Sequence, residues 1–206
     1  QVAEMTRMQD EVITGIANLI ESRDSSTGLH VKNTQNYVQI LTKALREKGK
    51  YPDILDHNYE LNTVKASVLH DIGKIKTPDA ILLKPGRLTD EEFEVMKQHT
   101  VAGCEIIDRI IGNVEHEEYV DIARKIARYH HERWDGTGYP DGLSGEEIPL
   151  CARIMALADV FDALYQDRCY KKAIRPASKV FEIIKENSGS QFDPNLTEIF
   201  LELQRE

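Results

Sequence analysis

An all-α fold is what this sequence predicts, and three observations predict it. Apolar residues recur at three- and four-residue spacing nearly throughout, no segment alternates as a strand would, and prolines or capping residues stand at several helix starts. Val2, Met5, Met8, Val12, Ile16 and Leu19 open the chain with an amphipathic stripe. That stripe suits either a connector continuing a coiled coil from an upstream module or an ordinary packed helix. A second helix is expected over 27–47, stopping near Gly49 and Pro52, and a third over 61–70, ending at Gly73. Pro85-Gly86 marks a turn. Thr89 followed by Glu92 then reads as a capping box opening a helix. Phe93, Met96, Thr100, Gly103, Ile107 and Ile110 are its expected inner face. A further helix is expected over 118–131. Trp134 to Gly142 holds three Gly and one Pro, so it is a loop. Helices resume at 149–165, 176–187 and 194–203, each opened by a proline. Residues 1–20 are therefore read as a connector helix and 21–206 as one domain.

Composition narrows the function classes. The 206 residues are 41% hydrophobic and 30% charged, as in an ordinary globular domain. No apolar run reaches the roughly 18–20 residues of a membrane span and no signal peptide is visible, so neither membrane insertion nor secretion is expected. The chain opens at Gln1, as a piece cut from a longer protein would, so an upstream regulatory domain is expected. The net charge of −9 makes a poor partner for duplex nucleic acid, though not for a phosphate ligand held by metals or local cations. Cys104, Cys151 and Cys169 form no CxxC, which fits three reduced thiols in a cytoplasmic protein.

Histidine and aspartate carry the chemistry. His70-Asp71 follows apolar Val68 and Leu69, and burying an imidazole beside a carboxylate is costly unless something pairs with both. A divalent iron, manganese, nickel or zinc ion would; a solvated pair at a helix end is the plainer alternative. Asp159 sits in the apolar run Ile154–Phe161 and is expected to be buried, either as a ligand or in a cap or ion pair. His99 has Gly103 one turn on, which admits close approach of another element or a ligand. Neighbours on a helix point about 100° apart, so His130 and His131 would share one metal only if the helix unwound there.

Taken in order, His30, His70-Asp71-Ile72-Gly73-Lys74, His99, His130-His131-Glu132, Asp135-Gly136-Thr137-Gly138-Tyr139-Pro140 and Asp159 resemble the HD-GYP family of cyclic di-GMP phosphodiesterases, within the HD superfamily of metal-dependent phosphohydrolases. The resemblance implies a helical HD-domain bundle with additional C-terminal helices and an irregular Gly-Tyr-Pro loop. It implies two divalent transition-metal ions, iron or manganese foremost, bridged by Asp71. His30, His70 and Asp159 would hold one ion and His99, His130 and His131 the other. Lys74, Arg168 and Lys171 would contact phosphate, and Tyr139 and its loop would meet the substrate or a GGDEF-type partner domain. Asp162 would orient a ligand or Arg168. The implied reaction is hydrolysis of cyclic di-GMP to linear pGpG, possible onward cleavage giving GMP. A sensor that binds the dinucleotide and signals by contact is the alternative, and another HD-type nucleotide hydrolase a third. A homodimer through the first helix would also fit.

Two positions depart from the family pattern. Ser26 stands where some members carry a Glu one helical turn before the first ligand histidine, so two metals rather than three are expected, with pGpG as the main product. Tyr165 and Cys169 stand where Thr and Pro are common.

Overall fold

The computed structural model describes residues 2–23, 29–112, 117–166, 173–174 and 176–205. Among them every extended element is a helix: α1 (Val2–Glu21), α2 (His30–Glu47), α3 (His57–Ala66), α4 (Asp79–Leu82), α5 (Asp90–Ile111), α6 (Glu117–Tyr129), α7 (Leu150–Tyr165), α8 (Ala177–Glu186) and α9 (Pro194–Glu202). Only isolated bridges, Asp135 with Ser144 and Ser188 with Phe192, have β character. No described helix is long and apolar enough to cross a membrane.

The starts follow local chemistry. Thr89 Oγ1 accepts from Glu92 N at 3.3 Å while Glu92 Oε2 accepts from Thr89 N at 2.7 Å, closing the expected capping box on α5. Asp56 caps α3 by accepting from Tyr59 N at 2.7 Å. Pro149 and Pro176 stand at the caps of α7 and α8, and Pro194 opens α9. Helix α7 is apolar on nearly every side; Cys151, Ile154, Met155 and Leu157 are fully buried, and it packs against α2, α6, α8 and α9. A helix of that kind is the centre of a bundle. Asp159 and Asp162 thus hang from the central, most buried helix of the bundle.

Two expectations are corrected. The third helix begins earlier, at His57, and ends at Ala66; Ser67–Leu69 and Ile72–Lys76 are 3₁₀ turns, so His70 and Asp71 lie between two tight turns rather than on an α-helix. On α5, Phe93 and Ile110 are exposed, while His99 and Ala102 join Thr100, Gly103 and Ile107 inside. The reason is Gly73: a Cβ there would lie 1.8 Å from His99 O and 2.5 Å from Gly103 N. The 3₁₀ turn seats so closely on α5 that it selects which face turns inward. Helix α1 fits both readings open for it, a connector and an ordinary packed helix: Met8, Val12, Ile16 and Leu19 of the stripe are exposed, and Ile13, Ala17 and Ile20 pack on the core.

Candidate metal centre

His30 is the first residue of α2 and is buried. Its Nδ1–H donates to Asp162 Oδ2 at 2.6 Å, and its Nε2 lies 3.3 Å from Asp159 Oδ1. Burial opposes charge on this imidazole, yet the two carboxylates overcome it and push His30 up to about 10. Asp159 is correspondingly held well below the usual carboxylate range: burial works against ionisation, and His30 reverses the balance. Asp162 therefore fixes the ring of a candidate ligand; its alternative partner Arg168 lies outside the described residues.

The next side chains come from the junction after α3. His70 is 1% exposed and donates Nδ1–H to Ser67 O at 2.9 Å, while its Nε2 stands 3.3 Å from Asp71 Oδ2. Asp71 precedes the 3₁₀ turn Ile72–Lys76, and side chains three apart eclipse in such a turn. That is why Lys74 Nζ reaches Asp71 Oδ2 at 2.8 Å. Asp71 Oδ1 turns the other way, 3.3 Å from His99 Nε2 and 3.6 Å from His130 Nε2. Desolvation would raise the Asp71 pKa, but Lys74 and His70 hold it well below its ordinary value.

The third group is imidazole alone. His99 donates Nδ1–H to Met96 O at 2.6 Å, and His130 donates to Ile126 O at 2.9 Å. Helix α6 ends at Tyr129, so the unwinding that two adjacent histidines require is present, and their rings stand 4.1 Å apart. Burial pulls His99 down to about 4 and depresses half-buried His131 well below its ordinary value, with His130 and His99 adding to the latter.

Several buried atoms here have no hydrogen-bond partner: Nε2 of His70, His99 and His130, and Oδ1 of Asp71 and Asp162. Each buried orphan costs about 1–3 kcal/mol. In the three histidines the Nδ1–H bond leaves Nε2 as the lone-pair donor, the arrangement a metal ligand needs. Ligand atoms of Asp71, His99, His130 and His131 all lie within 4.8 Å of one another, as do those of His30, His70 and Asp71. A cation is the common partner that both groups fit, and Asp71 belongs to each. Asp159 stands beside the second group through His30.

Tyr139 closes one side. Its ring lies 4.9 Å from that of His131 and 5.9 Å from Phe93, with Lys97 Nζ 5.8 Å above it. Its backbone N–H donates to His131 O at 3.3 Å. Glu132 holds the loop in place, accepting from the backbone N–H of Asp141, Gly142 and Leu143 at 2.8, 3.0 and 3.1 Å. Gly138 permits the tight passage, since a Cβ there would lie 2.4 Å from Arg133 N. Arg168, Lys171, Cys169 and Ser26 lie outside the described residues. Sequence reasoning gave Glu132 no role and did not single out Glu21 or Arg23. Glu21 is a buried carboxylate 3.9 Å from Lys74 Nζ, and a lone polar residue at a helix end carries no periodic signal that would find it.

Comparison with known proteins agrees with this geometry. The HD domain family model matches residues 16–196. A cyclic di-GMP phosphodiesterase of Vibrio cholerae is 46% identical over 98% of this chain and 41% of its own length. The 3'3'-cGAMP-specific phosphodiesterase 2 of the same organism is 35% identical over 98% of this chain and 36% of its own. The chain thus spans less than half the length of these relatives. In three dimensions it resembles Bd1817, an HD-GYP-type protein of Bdellovibrio bacteriovorus, with a TM-score of 0.64 at 16% identity over 98% of this chain and 64% of that one. With the His-Asp dyad, the His-His-Glu run and the Gly-Tyr-Pro loop converging on one centre, the chain belongs to the HD domain family, in its HD-GYP branch.

Proposed function

We propose that this chain is a metal-dependent phosphodiesterase that opens cyclic di-GMP to linear pGpG, acting as the output domain of a longer signalling protein. The observation that carries the reading is the set of orphaned buried donors on either side of Asp71, with the Lys74 ammonium against the same carboxylate. The identities of the relatives add support, 46% to a protein named for cyclic di-GMP against 35% to one named for 3'3'-cGAMP.

His30, His70, Asp71 and Asp159 would hold one ion and His99, His130, His131 and Asp71 another. Imidazole with carboxylate suits iron, manganese, nickel or zinc. When bound, such a pair supplies a water of lowered pKa and neutralises charge on the phosphoryl oxygens. The chain's own residues do the rest. Asp71 ties the two halves together and Asp162 fixes the His30 ring. Lys74 presents a charge-assisted donor to a phosphoryl oxygen. Arg168 and Lys171 are assigned further phosphate contacts, and Tyr139 walls the substrate side. Ser26, a neutral hydroxyl, favours two ions over three and release of pGpG before a second cut. An intact set of seven ligand residues favours catalysis over a sensor role. The exposed Met8–Leu19 stripe suits self-association through α1, and the Gly-Tyr-Pro loop suits a GGDEF-type partner.

Loading the protein with iron or manganese and chromatographing products from cyclic di-GMP and 3'3'-cGAMP tests the reading. Linear pGpG accumulating faster than GMP, with slower turnover of 3'3'-cGAMP, is expected. Three well-occupied ions, or GMP appearing as fast as pGpG, would overturn the two-metal, single-cut form. Faster turnover of 3'3'-cGAMP would reassign the substrate.

A further inference from the structure

The end of α1 reaches into the site at two points, and neither belongs to the ligand set. Arg23 lies two residues past Glu21, just beyond the helix end. Its guanidinium donates from Nη1 to Lys74 O at 3.1 Å and Ile75 O at 3.4 Å, and from Nη2 to Thr77 O at 3.1 Å and Asp79 Oδ1 at 2.6 Å. Three of those acceptors are carbonyls at the exit of the 3₁₀ turn Ile72–Lys76; Lys74 O also accepts from Thr77 N at 3.0 Å. A planar fork of donors suits that task where a single ammonium does not. Glu21 approaches the same residue from its side chain. It is 3% exposed, its Oε2 has no hydrogen-bond partner, and that oxygen lies 3.9 Å from Lys74 Nζ. A carboxylate is retained in such a place at a cost; Lys74 offsets part of it, while burial still holds the Glu21 pKa above its ordinary value.

We propose that Glu21 and Arg23 are positioning residues for Lys74: Arg23 fixes the backbone that carries it, and Glu21, opposite Asp71, confines its ammonium. A lysine stem is flexible and its ammonium a compact point charge, so one carboxylate leaves it a cone of positions. Two carboxylates, Asp71 Oδ2 at 2.8 Å and Glu21 Oε2 at 3.9 Å, narrow that cone. Ile13, Ala17 and Ile20 pack α1 on the core, so the whole support is anchored rather than hanging from a loop. The proposal rests on the reading that Lys74 faces the substrate phosphate.

Two experiments separate its failure from failure of that reading. The first is amide hydrogen exchange on metal-free protein. Arg23→Met and Arg23→Lys should both speed exchange across residues 72–77 by about tenfold, because neither side chain can bridge four oxygens. Unchanged exchange in both overturns the backbone part, whatever the protein hydrolyses. The second is a double-mutant cycle on metal-loaded protein. Glu21→Gln should retain the metal content of the parent, lower kcat/KM about tenfold, and weaken binding of inorganic phosphate to a similar degree. In a Lys74→Met background the same change should cost less than about twofold, and Glu21→Asp should restore part of the loss. Losses that simply add, or loss of metal in Glu21→Gln, overturn the side-chain part. Absence of turnover with every cyclic dinucleotide in the parent overturns the phosphodiesterase reading instead, and the phosphate arm of the cycle still decides the role of Glu21.

Discussion

The two halves of the centre use the same kind of ligand and hold it in opposite protonation states. On one side His30 lies between Asp159 and Asp162, and despite its burial the carboxylates push it up to about 10. On the other, His99 and His131 are surrounded by other imidazoles, and burial pulls His99 down to about 4. Equal burial thus gives a charged ring or a neutral one according to the neighbours it meets. The consequence for loading is direct. His99 and His131 present neutral lone pairs, whereas His30 must release a proton before its Nε2 can accept a metal. The carboxylate-rich half should therefore lose affinity faster as the pH falls.

Asp71 is common to both halves, so its removal should erase the contrast. In Asp71→Ala both metal groups lose a ligand, and hydrolysis should fall below detection while elemental analysis shows metal loss from both. Near-normal turnover by a metal-replete Asp71→Ala protein would remove it as the shared ligand. Lys74→Ala comes next. It should lower kcat/KM roughly 10- to 100-fold with metal content unchanged, since a charge-assisted hydrogen bond contributes about 1.5–3 kcal/mol. Asp162→Asn sharpens the comparison by touching one half alone. It should weaken metal binding at the His30 half about tenfold, the lower end for loss of an orienting partner, and leave the His99 half unaltered in a chelator competition. Equal weakening of both halves would mean that the two are not independent.

The smallest effect is on the folding of the metal-free protein. His99 has a depressed pKa, so the unfolded chain binds its proton first; the stability it contributes is present above pH 6.5 and lost as the pH falls toward about 4. His30 has a raised pKa, so its contribution is present below pH 6.5 and lost as the pH rises toward about 10. Denaturation midpoints measured across this range should fall on both flanks. His99→Gln should flatten the acid limb and His30→Gln the alkaline one. A single limb that responds to both substitutions would contradict the opposed protonation states.

Much of the fold was legible because its signals are local. The Thr89–Glu92 box and the prolines before α7, α8 and α9 act within one turn, and each stands where the sequence predicts. On two helices the spacing did not tell which face turns inward. Phe93 and Ile110 continue the helical spacing on α5, but the contact of Gly73 with His99 O and Gly103 N rotates the buried face away from them. The Met8–Leu19 stripe on α1 is apolar yet faces outward, because Ile13, Ala17 and Ile20 fit the groove left by the other helices. Spacing states that a face exists, not which neighbour claims it.

By itself the sequence determined the helical content, the capped and proline-marked helix starts, the residue types around the centre and, through Asp71-x-x-Lys74, a spacing that a 3₁₀ turn converts into an ion pair. Only the tertiary structure decided which histidine meets which carboxylate. His30 and Asp162 are 132 residues apart in the chain and 2.6 Å apart in space. Arg23 reaches Lys74 across 51 residues and Glu21 approaches it from the same helix end, and no periodicity joins them. The reason is physical: a pKa or an ammonium position depends on distances of a few ångströms between groups, and packing, not sequence neighbourhood, sets those distances.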